Sequence, residues 1–119
     1  MLNKLCVPKV SILLPVFNGC KYLCYAIESV LSQTYENWKL IIINDASTDQ
    51  SLNIINRFAS SDTRIQVISN KSNIGIQKSL NKGLFNANGT YIARIDDDDV
   101  WSPNKLIEQI KFLEDNPEY

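Results

Sequence analysis

The chain of 119 residues contains no histidine. This absence excludes Ser-His-Asp and Cys-His nucleophile chemistry, imidazole metal ligands and a histidine general base. Any acid–base chemistry must therefore be carried by carboxylates. The chain also has only three cysteines, Cys6, Cys20 and Cys24, and their spacing matches neither a disulfide framework nor a zinc site. A reducing cytoplasm is the simplest setting for such a sequence.

A strong net charge and long apolar segments are missing as well. Twelve basic and thirteen acidic side chains leave a formal net charge of -1, which argues against a nucleic-acid partner. The longest N-terminal apolar stretch, residues 10–17, is interrupted by Pro15 and is too short for a transmembrane segment or a secretion signal. The length and the 45% hydrophobic content suit one domain over residues 1–119.

Short apolar runs alternate with amphipathic helical patterns along the chain. Strands are predicted at residues 10–14, 38–43, 65–69 and 91–95. Helices are predicted at residues 21–33, after the capping candidates Ser47, Thr48 and Asp49, after the capping candidate Asn73, and from Ser102-Pro103 onward. This alternation, with strands that are apolar on both faces, predicts an α/β fold: a Rossmann-like, mostly parallel sheet flanked by helices on both sides.

Polar segments follow three of the predicted strands, at residues 15–18, 44–49 and 96–99. In open parallel sheets, ligands bind beyond the carboxyl ends of the strands, near the point where the strand order reverses. We therefore expect these three segments to form one site.

The densest charge in the chain is the run of four aspartates at residues 96–99. An acidic turn can simply be a solvated loop. Its position after an apolar strand, without an interspersed lysine, instead favours a divalent metal bound by oxygen ligands, for which Mg²⁺ or Mn²⁺ is the natural choice. Because carboxylates repel phosphate, a metal would have to bridge them to a diphosphate ligand.

Other candidate residues have both a structural and a functional interpretation. Asp45 could cap the following helix, or it could accept a hydrogen bond from a ligand N–H such as that of a pyrimidine. Residues 15–18 could be a plain turn, or Phe17 could stack on a base. Lys78 could face solvent or reach a nucleotide. Neither GxGxxG nor GxxxxGK[ST] occurs, which weakens dinucleotide and P-loop interpretations.

Several motifs, in this order, make the chain resemble the family 2 glycosyltransferases. They are VSILLPVFNG at residues 10–19, SQTY at 32–35, INDASTD at 43–49, NIG at 73–75, and ARIDDDD at 93–99 with Pro103. The resemblance covers about residues 8–118. It implies the A-type glycosyltransferase fold, a nucleotide-diphosphate sugar as donor, with a UDP-sugar preferred, and a divalent metal bound through an Asp-x-Asp motif.

The resemblance also implies roles for single residues. Asp98 would be the main metal ligand, and Asp96 would contact the metal or the ribose. Asp45 would contact the base, in a pocket lined by Pro15 and Phe17. The nucleotide-binding candidates implied in this way are Pro15, Phe17, Asp45, Lys78, Asp96 and Asp97.

What the resemblance implies about activity is inverting transfer to a hydroxyl of a glycan or lipid-linked acceptor, in surface-polysaccharide synthesis, in the cytoplasm or peripherally at the inner membrane face. Family members extend beyond the equivalent of Tyr119. We therefore expect this chain to be a truncated nucleotide-binding half, with the catalytic base further downstream. Two other functions stay open: a nucleotide-binding module without turnover, and a receiver-like phosphotransfer domain that binds Mg²⁺.

Overall fold

The computed structural model describes residues 9–117, so that Cys6 lies outside the described residues. The four strands are β1 (Val10–Val16), β2 (Trp38–Asn44), β3 (Ile65–Ser69) and β4 (Tyr91–Arg94). The four helices are α1 (Cys20–Leu31), α2 (Ser51–Ser61), α3 (Ile76–Phe85) and α4 (Lys105–Asp115). The predicted alternation of strands and helices is confirmed. Across residues 9–117, every helix is too short or too polar to cross a bilayer.

All four strands are parallel and lie in the order β3-β2-β1-β4. The chain first runs outward from β1 through β2 to β3, and it then returns to the other side of β1 with β4. This reversal creates a switch point between β1 and β4, where ligands of open α/β sheets bind. A receiver-like domain would place β3 beside β1. The observed order therefore does not fit that alternative.

Helices cover the two faces of the sheet unequally. Successive residues of a strand point to opposite faces, so that Ile12 and Ile42 pack with α1, α2 and α4, whereas Leu13, Ile41 and Ile43 pack with α3. The prediction of helices on both sides is confirmed. A single helix leaves part of the second face open.

The fourth strand is the place where the predicted burial is wrong. Half-buried and exposed residues alternate along β4, and both Ile92 and Arg94 are exposed. The reason is that α3 contacts β1 and β2, and β4 lies at the edge of the sheet beyond it. Only the following residue, Ile95, is fully buried.

The first strand continues through Pro15 to Val16, two residues beyond its predicted end. Proline normally interrupts a sheet because it has no N–H to donate. Here the Leu13 carbonyl faces β4 and accepts from the Ile95 N–H at 3.0 Å. Pro15 has the same orientation two residues later, where β1 no longer pairs with β4, so that little is lost.

Two predicted helix starts are wrong. The N-cap of α3 is Gly75 and not Asn73, and α3 therefore begins without a capping hydrogen bond from the side chain of its N-cap residue. The last helix begins at Lys105, after a turn at Pro103 and Asn104 in which the Lys105 N–H donates to the Ser102 carbonyl at 3.1 Å.

Of the three capping candidates before α2, only Asp49 binds the helix start. Its Oδ1 accepts from the Ser51 N–H at 2.8 Å. Ser47 and Thr48 instead bind Asn18 in the loop after β1. The two loops at the carboxyl ends of β1 and β2 are thereby joined.

Candidate functional site

An open depression with a volume of about 320 Å³ lies at the carboxyl ends of β1, β2 and β4. It is the place where the sequence predicted a site, next to the switch point. Six of the seven candidate residues meet there. The lining consists of Pro15, Val16, Phe17, Asp45, Ile76, Ser79, Arg94, Asp96, Asp97 and Asp98.

The seventh candidate, Lys78, does not line this depression. Its exposed side chain projects from α3 into a neighbouring groove, which also contains Ile74, Lys82 and Phe85. The solvent-facing interpretation of Lys78 therefore describes this structure. A contact with a nucleotide stays a prediction.

Asp45 follows β2 directly and is almost fully buried, with 4% of its surface exposed. Its Oδ1 accepts hydrogen bonds from the Ile74 N–H at 2.8 Å and from Asn70 Nδ2 at 3.0 Å, and its Oδ2 accepts from the Gly75 N–H at 2.9 Å. The interpretation of Asp45 as a cap of α2 is thus wrong. The carboxylate instead binds the backbone that leads into α3.

The environment of Asp45 favours its ionised form. Burial acts to raise the pKa of this carboxyl group, but the hydrogen bonds from Ile74, Asn70 and Gly75 and the charge of Lys82 outweigh burial, and the pKa lies below its ordinary value. Asp45 is therefore a pure hydrogen-bond acceptor at neutral pH. Its Oδ1 already has two donors, whereas its Oδ2 has one and can accept another.

Gly75, whose N–H donates to Asp45, has an unusual backbone conformation. Gly75 has φ of 93°, a region that residues with a side chain rarely adopt. This conformation turns the chain immediately before α3. The positive φ of Gly75 thus explains why a glycine stands at this position of the NIG motif.

The loop after β1 holds Phe17 at the rim of the depression. The side chain of Phe17 is 49% exposed, and the next residue, Asn18, has φ of 50°. Asn18 is held on both sides, because its N–H donates to Ser47 Oγ at 3.0 Å and its Oδ1 accepts from the Thr48 N–H at 2.8 Å. An aromatic face is therefore presented beside the depression on an anchored loop.

Three of the four aspartates after β4 are held by neighbouring groups. Asp96 Oδ1 accepts from Arg94 Nε at 2.9 Å, and Asp99 Oδ2 accepts from the Asp96 N–H at 3.1 Å. The carboxylate of Asp97 lies against the loop after β1. A Cβ placed on Gly19 would come within 2.7 Å of Asp97 Cγ, so a side chain at this position would force the Asp97 carboxylate to move.

Asp97 is partly buried and lies close to other acids. Burial raises the pKa of its carboxyl group, and the charges of Asp98 and Asp96 raise it further against the opposing hydrogen bond from the Phe17 N–H. Asp98 is different. It is exposed, and within residues 9–117 it is the one aspartate of the four whose carboxylate has no hydrogen-bond or ion-pair partner.

The acidic run does not form a preformed metal cage. Among residues 9–117, no three acidic or cysteine side chains converge in a way that could hold a metal ion. However, Mg²⁺ is commonly held by only one or two carboxylates together with substrate phosphates and water. The free Asp98 and the half-buried Asp96 fit such an arrangement.

Sequence reasoning missed the polar group that supports Asp45. Asn70 and Ser79 are buried beside it, and neither was among the candidates. Asn70 follows β3, so that its position after a strand was a usable signal. Ser79 lies within α3, and nothing in the sequence marks it as a residue of the site.

Comparison with known proteins agrees with this geometry. The family model described as Glycosyl transferase family 2 matches residues 11–119. "Putative glycosyltransferase EpsE" of Bacillus subtilis is 45% identical over 113 residues, which cover 94% of this chain and 41% of that protein. "Putative teichuronic acid biosynthesis glycosyltransferase TuaG" of the same species is 37% identical over 106 residues, which cover 89% of this chain and 42% of that protein. The chain thus spans less than half the length of these relatives.

Solved structures with the A-type glycosyltransferase fold superpose closely on this chain. TarS 1-349 of S. aureus, in complex with UDP-GlcNAc, has a TM-score of 0.84 at 25% identity, and the match covers 90% of this chain and 31% of TarS 1-349. The mannosyltransferase PcManGT of Pyrobaculum calidifontis, in complex with GDP-Man and Mn²⁺, has a TM-score of 0.84 at 22% identity and supports the fold, with 92% of this chain and 33% of that chain covered. From the match over residues 11–119, the depression and these neighbours, we conclude that the chain belongs to glycosyltransferase family 2.

Proposed function

We propose that residues 1–119 form the donor-nucleotide site of a glycosyltransferase that uses a UDP-sugar together with Mg²⁺ or Mn²⁺. The observation that carries this proposal is the meeting of Asp45, Phe17 and Asp98 in one depression at the switch point of the sheet. These side chains offer a buried acceptor for a base N–H, an aromatic face for the base, and a free carboxylate for a metal.

The proposed roles follow from the state of each side chain. Asp45 is ionised and has a free acceptor position on Oδ2, which suits the ring N–H of uracil. Phe17 offers its exposed ring for stacking at the rim. That TarS was solved with UDP-GlcNAc supports a uridine nucleotide as ligand.

At the diphosphate end, Asp98 and Asp96 would hold the metal, and Asp97 would lie on the diphosphate side. A bound ion would supply positive charge to offset the charge that would develop on the diphosphate when an acceptor hydroxyl displaces it, with inversion, from the anomeric carbon. Arg94 lines the same depression and pairs with Asp96. Its guanidinium holds Asp96 Oδ1 and leaves Oδ2 of that residue for a ligand.

The wider context is proposed from the relatives and the chemistry of the chain. The name of TuaG supports a role in surface-polysaccharide synthesis. We propose a glycan or lipid-linked molecule as the acceptor in such a role. Free thiols at Cys20 and Cys24 agree with a cytoplasmic location, including the inner face of the membrane. The catalytic base is proposed to lie outside residues 1–119.

Calorimetry of the chain with UDP, in the presence and absence of Mn²⁺, tests the proposal. We expect binding that is strengthened by Mn²⁺, and we expect Asp98→Ala to weaken it by about tenfold or more, which corresponds to about 1.4 kcal/mol. Asp115→Ala, a matched change at an exposed acid of α4, should leave the affinity unchanged. The proposal fails if the wild-type chain gives no heat with UDP and Mn²⁺, or if Asp98→Ala binds as the wild type does.

A nucleotide-binding module without turnover is the second candidate, because the described residues include no free acid placed to act as a base beyond those already assigned to the donor side. Incubation with UDP-GlcNAc and Mn²⁺ separates the two candidates. Release of UDP by transfer or hydrolysis supports the enzyme. Tight binding of UDP-GlcNAc without release, in a protein extended to the length of its relatives, supports the module.

A further inference from the structure

A polar cluster lies beside Asp45, and one of its members, Ser79, also lines the depression. It consists of the buried side chains of Asn70, which is 6% exposed, and Ser79, which is fully buried, together with the ammonium group of Lys82, an exposed residue of α3. Burying such groups is unfavourable unless their hydrogen-bonding capacity is used. Here both N–H groups of the Asn70 amide are used, because Nδ2 donates to Asp45 Oδ1 at 3.0 Å and to Ser79 Oγ at 3.1 Å, and Oδ1 accepts from Lys82 Nζ at 2.9 Å.

The orientation of this amide is fixed by its two charged neighbours. A lysine ammonium can only donate hydrogen bonds, and an ionised carboxylate can only accept them. Lys82 therefore holds the Asn70 oxygen, which leaves the amide nitrogen facing Asp45. The backbone of Asn70 is held as well, since its N–H donates to the Asn44 carbonyl at 2.9 Å.

These contacts limit the hydrogen bonds that the Asp45 carboxylate can accept from a ligand. With Asn70 and the Ile74 N–H both bound to Oδ1, that oxygen has no acceptor capacity left for a ligand. Rotation of the carboxylate would break one of these contacts or the contact between Oδ2 and the Gly75 N–H. The one remaining acceptor position, on Oδ2, is therefore held in a single orientation at the depression.

We propose that Asn70, oriented by Lys82, is a positioning residue that makes the site selective for bases with a ring N–H. This inference rests on the proposed function, in which Asp45 accepts from the base. Uracil has an N–H at N3, which can donate to the carboxylate. Cytosine has an unprotonated nitrogen at N3, and the lone pair of this nitrogen would face a lone pair of the carboxylate oxygen. A rigidly held acceptor rejects such a mismatch more strongly than a mobile one, because a mobile carboxylate can turn away.

The test is the ratio of UDP affinity to CDP affinity, measured by calorimetry in the presence of Mn²⁺. Lys82→Met keeps the apolar stem of the side chain and removes the ammonium group that orients Asn70. We expect it to weaken UDP binding by about three- to tenfold and to change CDP binding little, so that the ratio falls. Asn70→Ala should lower the ratio of UDP affinity to CDP affinity further. Lys82→Arg keeps a cation that can only donate hydrogen bonds, so its ratio should stay close to that of the wild type.

Lys111→Met is the matched control, because Lys111 is an exposed lysine on α4 outside the depression. It should leave the ratio unchanged, and thermal unfolding should show that every variant is folded. A ratio unchanged in both Lys82→Met and Asn70→Ala overturns the inference. Equal weakening of UDP and CDP also overturns it, because that result indicates a general structural role. If the wild-type chain binds neither nucleotide, the proposed function fails first and this inference fails with it.

Discussion

At the scale of single residues, chemically identical carboxylates are in very different states. Asp45 is buried with three N–H donors, Asp97 is crowded by other acids, and Asp98 is exposed with a free carboxylate. These states follow from the neighbours of each group and not from its type. The sequence could locate the acids, but it could not distinguish them in this way.

Asp49 joins two loops at the carboxyl end of the sheet. Its Oδ1 accepts from the Ser51 N–H at 2.8 Å, and its Oδ2 accepts from the Cys20 N–H at 3.2 Å. In Asp49→Asn, one of these donors would face an NH₂ group. We expect the free energy of unfolding at pH 7 to fall by about 1–2 kcal/mol, measured by guanidinium denaturation. Glu28→Gln, at an exposed position of α1, should change it little.

The same pair of proteins gives a pH-dependent prediction. Burial acts to raise the pKa of Asp49, but the hydrogen bonds from Ser51 and Cys20 prevail and lower it from the ordinary 3.8 to about 2. A carboxyl group whose pKa is lower in the folded protein than in the unfolded chain stabilises the fold at every pH above its unfolded pKa. This stabilisation is lost as the pH falls through the folded-state pKa. The difference between wild type and Asp49→Asn should thus be full at pH 5 and smaller at pH 3. A difference that stays constant to pH 2 would contradict this account.

At the scale of elements, helix ends depend on side chains that are distant in sequence. Gln33 follows α1 and is only 4% exposed. Its Nε2 donates to the Ser102 carbonyl at 2.6 Å, and its Oε1 accepts from the Leu106 N–H at 3.0 Å. Gln33 thus satisfies the first turn of α4 in place of a local cap, because the side chain of the N-cap residue Asn104 makes no capping hydrogen bond and instead accepts from Thr34 Oγ1.

Truncation of Gln33 should therefore destabilise the protein. In Gln33→Ala the buried Leu106 N–H would lose its partner, which costs about 1–3 kcal/mol, and the Ser102 carbonyl would keep only the hydrogen bond from the Lys105 N–H. The expected result is a lower denaturation midpoint with an unchanged m-value. Gln77→Ala, an exposed glutamine of α3, serves as control and should have nearly wild-type stability. Equal stability of the two variants would show that α4 does not depend on this contact.

At the scale of the whole molecule, the sheet has one poorly covered edge. Within residues 9–117, β4 pairs with β1 alone, and α3 packs mainly on β1 and β2. The side chain of Ile92 on this strand is 47% exposed. Unpaired strand edges with apolar side chains promote association between chains.

We expect the chain to self-associate through this edge at high concentration. Ile92→Lys places a charge on the edge strand and should raise the concentration needed for association several-fold, as measured by light scattering, with little change in monomer stability. Ile107→Lys, on α4, removes a similarly exposed isoleucine away from the edge and should not have this effect. If both variants associate as the wild type does, another surface is responsible.

The sequence by itself determined the alternation of strands and helices, their approximate bounds and the segments that carry the site. These features depend on local periodicity and on which residues end each apolar run, and both are visible in a single chain. The same local signals placed Asp45, Phe17 and the four aspartates at the carboxyl ends of strands, where the structure brings them into one depression.

Only the tertiary structure decided which helix start Asp45 binds and that Asn70 and Lys82 lie beside it. The tertiary structure also placed Lys78 in another groove and made β4 an edge strand. Gln33 and Leu106, for example, are separated by 73 positions. Such contacts are set by the order of the strands and by the packing of helices on them. Since neither leaves a periodic pattern in the chain, the state of each side chain at the site could not be predicted from sequence alone.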